Sequence, residues 1–230
     1  MPPDTVAVIS VNAGVPAHLT WRHGRLVESA IRKDPVDADT LALSRINLEG
    51  DDQADRTVHG GPDKALYVYP AAHLRAWAAE HPAYARVFVP GSIGENLTVE
   101  GWTEQDARVG DVWRWGEALV QIAQPRSPCY KLAARSGIPE LTRLFELTGR
   151  SGWYLRVLRP APAVPTRAPL ELDVVERGPA HLTVAAAVAL RRDTAPLELV
   201  ERALAEPALA DSWRGALAHR LEVVRGDRTA

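Results

Sequence analysis

The chain has 230 residues, enough to bury a core without staples, and 46% of them are hydrophobic. Its 27 basic and 29 acidic side chains leave a formal net charge of -2, so there is no general attraction to nucleic acid or to an anionic membrane. A single cysteine excludes an internal disulfide, an iron–sulfur cluster held by several thiolates and a cysteine-rich zinc site.

Met1 to Thr5 lack the basic and apolar regions of a secretory signal, and no apolar run is long enough to span a bilayer, so the expected setting is a reducing cytoplasm. Thr5 to Val11 reads as a first strand, closed by Asn12-Ala13-Gly14. Leu19-Thr20-Trp21 and Arg25-Leu26-Val27 flank His23-Gly24 as a hairpin. Ala65 to Tyr69 is β-rich and stops at Pro70, after which Ala71 to Ala79 sets Leu74, Trp77 and Ala78 on one helical face. Val112 to Trp115 and Ala118 to Ile122 alternate around Gly116-Glu117, a second hairpin. Pro139 opens a helix over Glu140 to Thr148, with Gly149 as its stop. Trp153 to Leu158 and Leu170 to Val175 add two strands. So many short, evenly spaced strands point to a closed or nearly closed β-barrel with packing helices, not to a parallel α/β sheet.

Beyond Arg177 the texture becomes helical. Thr183 is a candidate cap for Val184 to Arg191, and Thr194 for a helix running to Glu206 with Pro196 in its opening turn. Asp211 starts a third helix, with Trp213, Leu217 and Leu221 at four-residue spacing. A linker is expected near Glu176 to Ala180.

Three segments carry chemistry. In Val58-His59-Gly60-Gly61-Pro62-Asp63-Lys64 the paired glycines let backbone N–H groups approach an anion, with His59 and Lys64 adding charge; a plain tight turn fits equally well. In Gly91-Ser92-Ile93-Gly94-Glu95-Asn96-Leu97 the polar pair suits either a ligand's ring edge or the loop's own backbone. In Gln124-Pro125-Arg126-Ser127-Pro128-Cys129-Tyr130-Lys131-Leu132 a stiff, cationic loop suits a thiolate, against the commoner role of a lone cysteine as apolar filler. Glu49-Gly50-Asp51-Asp52-Gln53-Ala54-Asp55 reads as a solvated acidic loop, and Trp113 and Trp115 as core. The histidines have no metal-ligand spacing, and no Gly-x-Ser-x-Gly elbow occurs.

In this order, His59-Gly60-Gly61-Pro62-Asp63-Lys64-Ala65-Leu66, Gly94-Glu95-Asn96-Leu97, Gly110-Asp111 and the Cys129 segment resemble the MOSC-domain family, above all its stand-alone YiiM-like branch. The resemblance covers nearly the whole chain, including Leu48-Glu49-Gly50-Asp51 and the helical tail. It implies a mainly β, MOSC-type barrel with packing helices over 1–177 and a small three-helix module over 178–230. It also implies binding of the molybdenum cofactor, a pterin whose dithiolene chelates the metal. Cys129 would then be a thiolate ligand to molybdenum or a carrier of activated sulfur. His59, Gly60, Gly61, Lys64, Asn96, Arg126, Ser127 and Lys131 are the matching candidate cofactor contacts, and His59 and Tyr130 the candidate proton donors.

Relatives such as the mitochondrial amidoxime-reducing component remove oxygen from N-hydroxylated compounds, so the implied reaction is reduction of small N-hydroxylated substrates, purines, hydroxylamines and amidoximes among them. Electrons would come from a separate flavin- or iron–sulfur-containing reductase, and the helical tail is a candidate surface for that partner or for a second copy in a homodimer. The alternative is a sulfur carrier with a persulfide on Cys129; a thiol peroxidase ranks lower because it leaves Gly60-Gly61 and Asn96 without a role.

Overall fold

The computed structural model describes residues 4–54, 60–192 and 194–227. In chain order the elements are β1 (Thr5–Ala13), β2 (Ala17–Trp21), β3 (Arg25–Ser29), β4 (Asp34–Pro35), β5 (Thr40–Leu43), β6 (Leu66–Pro70) and α1 (Ala71–Glu80). β7 (Leu97–Glu100), β8 (Val112–Trp115), β9 (Ala118–Pro125), α2 (Tyr130–Ser136), α3 (Leu141–Thr148), β10 (Trp153–Arg159), β11 (Ala161–Pro165) and β12 (Leu170–Glu176) follow. The chain then forms α4 (Val184–Leu190), α5 (Leu197–Leu204) and α6 (Asp211–Asp227).

Seven strands close into a barrel in the order β12-β8-β9-β10-β6-β7-β1, and β1 completes the ring by pairing antiparallel with β12 from Thr5↔Asp173 to Val8↔Leu170. Closure removes the unpaired edges of an open sheet. The alternation predicted for the strands sorts their side chains into two cores. Val6, Val8, Leu66, Val68, Trp113, Trp115, Val120, Ile122, Trp153 and Leu155 fill the barrel interior. Tyr67 and Tyr69, one residue out of phase on β6, face outward beneath the helices with Leu74, Trp77, Leu132, Leu141 and Phe145. The barrel interior is therefore solid core, and any ligand site must lie on its outer wall.

β6 and β7 are parallel, with Val68 opposite Leu97, so a crossover is required; residues 71–96 supply it with α1 at its start. α1 buries Ala71, Leu74 and Trp77, and its Trp77 ring stacks on Phe145 of α3 at 5.3 Å, which in turn stacks on Tyr69 at 5.7 Å. Gly149 ends α3 in the left-handed conformation at φ 71°, as the sequence predicts.

Several boundaries differ from expectation. β1 continues to Ala13: a register shift between Val8 and Ser10 keeps Val11 in the barrel core with Val6 and Val8, so the buried Ser10 and Asn12 lie on the opposite face, where Ser10 Oγ donates to Asn12 Oδ1 at 2.7 Å. β5 and β11 form a separate pair that sequence periodicity did not reveal. Pro196, not Thr194, caps α5, with no side-chain cap bond, and the helix begins at Leu197. Thr183 does cap α4, its Oγ1 accepting from Ala186 N at 3.0 Å.

The expected linker is not slack. Asp111 accepts from Arg108 N at 2.9 Å and Gly178 N at 2.8 Å and pairs with Arg177 at 3.1 Å, so the Gly110-Asp111 motif fastens the chain where the helical module begins. Trp213, Leu217 and Leu221 pack with Leu190, Val200 and Ala203 to give the module a core of its own.

Candidate functional site

A cavity opens on the outer face of the barrel wall. Cys129, Arg126, Lys131, Lys64 and Asn96, drawn from all three sequence segments, line it together with Lys33, Asp51, Asp52, Tyr67 and Tyr154. Register builds the wall: Tyr67 lies opposite Tyr154 across β6 and β10, and Tyr154 lies opposite Gln124 of β9. A slip of one residue in either pairing would turn the tyrosines into the barrel and empty the wall.

Tyr67 and Tyr154 rings meet at 5.2 Å. Arg126 places its guanidinium 4.7 Å over the Tyr67 ring, donates to the Tyr67 hydroxyl at 3.4 Å and is 7% exposed. Burial opposes its charge, but Tyr67, Tyr154 and Cys129 outweigh burial and keep the guanidinium protonated. Burial also pushes both phenols above their ordinary value against the pull of Arg126, so they are neutral hydrogen-bond donors at physiological pH.

Asn96 is spent on scaffolding as well as on the cavity. Its Oδ1 accepts from Tyr67 N at 3.0 Å, and its Nδ2 donates to Asp51 Oδ2 at 3.0 Å and Asn12 O at 3.2 Å. Its neighbour Glu95 serves the loop: the carboxylate accepts from Gly91 N at 2.8 Å, Ile93 N at 3.0 Å and Thr98 Oγ1 at 3.1 Å. Burial raises Glu95 to about 7, with those donors holding it back from going higher.

The acidic run is solvated only in part: Glu49 and Gly50 are exposed, Asp51 is buried, and Asp55 lies outside the described residues. Asp51 is 4% exposed; it accepts from Gly14 N at 2.9 Å and forms an ion pair with Lys33, itself 8% exposed. Burial lowers the Lys33 ammonium from its ordinary value, with Asp51 opposing. Lys33 reaches the wall because glycines let its backbone pass: a Cβ on Gly91 would stand 2.3 Å from Lys33 O, and one on Gly94 3.0 Å from the Ile31 side chain. Both glycines also hold positive φ, 82° and 91°. Lys33 sits in an ordinary Arg-Lys-Asp run, and nothing local in the sequence marks it as the partner of the carboxylate 18 residues later.

Cys129 is half-buried and stands at the N-cap of α2, a helix that the local composition of the segment does not disclose. Its carbonyl accepts from Leu132 N at 3.0 Å and from Thr142 Oγ1 of α3 at 3.2 Å. Tyr130, 43% exposed, points away from the cavity and meets Trp21 of the β2–β3 hairpin at 5.8 Å. Ser127 is exposed and accepts from Arg191, the residue that follows α4, at 2.7 Å, outside the cavity wall. Gly60 and Gly61 also stand outside the wall, Gly61 opening the turn Pro62–Lys64 at φ 97°, while Asp63 is held by Arg156 at 2.8 Å. His59 lies outside the described residues.

Sequence comparison fits this geometry. Residues 55–165 match the MOSC domain, and residues 182–223 match the YiiM-like, 3-alpha helix domain. YflK of Bacillus subtilis (strain 168) is 40% identical over 217 residues, 94% of this chain and 95% of that one. The chain belongs to the MOSC-domain family, in its YiiM-like branch. Protein YiiM of Escherichia coli (strain K12) is 49% identical over 144 residues, a match spanning 63% of each chain. The crystal structure of E. coli YiiM superposes with a TM-score of 0.76 at 34% identity, covering 95% of this chain and 93% of that one. YiiM from Geobacillus stearothermophilus gives 0.75 at 34% identity, over 94% and 99%. A fungal protein named Reductase, from Gibberella moniliformis, is 33% identical over 137 residues but is matched over only 24% of its length. No helix among the described residues of this MOSC protein is long and apolar enough to cross a membrane.

Proposed function

We propose that this MOSC protein is a cytoplasmic, molybdenum cofactor-dependent reductase of small N-hydroxylated compounds, including N-hydroxylated purines. The observation that carries the proposal is the convergence of one thiol, Cys129, with Arg126, Lys131, Lys64 and Lys33 in one cavity. Among the described residues, four cations there accompany two carboxylates, Asp51 and Asp52, with Asp51 paired to Lys33, a balance that suits an anionic ligand. Among the described residues there is no group of three metal-ligating side chains, and the Cys129 thiol suits a soft metal whose further donors come from a pterin dithiolene. The residues fit the cofactor on both counts.

In this scheme Cys129 supplies the soft thiolate donor, Arg126 and Lys131 hold anionic oxygens of the cofactor, and the Tyr67–Tyr154 wall offers aromatic surface to a planar ring. When bound, the cofactor supplies the two-electron chemistry that takes N–OH to N–H with release of water. The two protons consumed must reach the cavity. Lys33 Nζ holds one at the wall, and burial makes that ammonium a readier donor than an exposed lysine. With one cysteine in the sequence the chain cannot hold its own iron–sulfur cluster, so electrons come from a separate flavin- or iron–sulfur-containing reductase.

Metal and pterin analysis of protein made in a cofactor-competent host is the test. Molybdenum and pterin near one per chain are expected, with both lost in Cys129→Ala and with N-hydroxylated purine reduced by the loaded protein under a dye reductant. Wild-type protein that carries neither metal nor pterin would overturn the proposal.

A further inference from the structure

The thiol's position is defended from two sides, and one side belongs to the C-terminal helices. On the barrel side, Arg126 N donates to Gly152 O at 3.3 Å, and the Cys129 carbonyl takes the Thr142 bond described above. Between these anchors the chain passes through Ser127 and Pro128, where the exposed Ser127 side chain is held by Arg191 Nη1 at 2.7 Å. Arg191 is itself fixed, since its guanidinium lies 5.2 Å over the ring of Trp213, which is 4% exposed in the module core. Two further bonds tie the same module to the strand that delivers the loop: Ala210 N donates to Ala123 O at 3.0 Å, and Ser212 Oγ donates to Gln124 Oε1 at 2.7 Å.

We propose that the helical module is part of the thiol site and that Arg191 is a positioning residue, holding the Ser127–Pro128 approach so that Cys129 faces the cavity. The planar guanidinium is suited to this, because it stacks on Trp213 and donates to Ser127 at once, which a lysine cannot do. Losing the bond frees the two residues before Cys129 while leaving the barrel ladder and the module core in place. The claim concerns the placement of the thiol and holds whether that sulfur binds a metal or carries another sulfur, so it stands apart from the reductase proposal.

The experiment is the alkylation rate of Cys129 by iodoacetamide in the full chain made in a host that cannot synthesise the cofactor, followed from pH 6 to 9. Arg191→Ala is expected to change the rate at least about threefold and to alter its pH profile, with an unchanged melting temperature, and Arg191→Lys should fall between it and wild type. Arg192→Ala removes the same charge one residue away and should leave rate and profile untouched. Ser127→Ala removes the same bond from the barrel side, at an exposed position that does not endanger folding. It should match Arg191→Ala, and the double variant should be no worse than either single. Rates for Arg191→Ala and Ser127→Ala equal to that of Arg192→Ala, or additive effects in the double variant, would overturn the proposal.

Discussion

Replacing Lys33 by methionine removes one half of an ion pair whose side chains are 7% and 1% exposed. Asp51 would keep the Gly14 and Asn96 donors but lose its counter-ion in a site that water barely reaches. Breaking a buried pair from one side costs ~3–5 kcal/mol, and the two remaining donors place this case at the lower end. At about 2–4 °C per kcal/mol for a chain of this size, a loss of about 3 kcal/mol lowers the melting temperature by about 6–12 °C. Asp51→Asn should cost a similar amount at pH 7, but with a pH signature. Burial already lowers Lys33, and without Asp51 it would lie lower still, so the folded variant gives up that proton before the unfolded chain does and should be less destabilised at pH 9 than at pH 7. The double variant Lys33→Met/Asp51→Asn buries no charge at this point and should be more stable than the sum of the singles by at least about 2 kcal/mol. Urea unfolding of all four proteins in cofactor-free form, at both pH values and with equal slopes, measures each quantity. Singles within about 1 kcal/mol of wild type together with an additive double would show that the pair is solvated in solution, and the account of the cavity wall given above would fail.

Glu95 predicts a second pH effect of opposite sign. Its folded value is raised by burial to about 7, so its contribution to stability is fully present below the ordinary carboxylate range and is lost as pH rises through 7. At about 1.4 kcal/mol per pH unit the loss approaches about 3 kcal/mol, read as the stability difference between wild type and Glu95→Gln from pH 5 to 8; a flat difference would refute it. Arg126→Lys gives up the stack on Tyr67 and should cut pterin retention about tenfold with little change in unfolding midpoint, whereas pterin content equal to wild type would remove Arg126 from the binding set.

How much of this was legible in the sequence depended on distance along the chain. The barrel strands and the three terminal helices announce themselves through local periodicity and turn residues, and Cys129, Arg126, Lys131, Lys64 and Asn96 stand in compact segments of unusual composition. Lys33 and Asp51 do not. Each lies in a stretch that reads as exposed and charged, and only the fold, by threading residues 31–33 past Gly91 and Gly94, makes them partners. Ser127 stands beside Arg126 in sequence, but its exposed hydroxyl meets Arg191, the residue that follows α4, a contact no local pattern discloses. Tyr130 was drawn to the site by adjacency to Cys129, and the onset of α2 at that residue sends its ring toward Trp21 instead.

The filled barrel interior has a kinetic consequence. With Trp113, Trp115 and Trp153 occupying the lumen, a ligand lodged against Tyr67 and Tyr154 can arrive and depart without any rung of the closed ladder opening. Binding therefore needs no global unfolding. A ligand that binds only the folded chain still raises its global stability by mass action, so exchange of the slowest barrel amides should fall on binding, with added local protection in the segments that border the cavity.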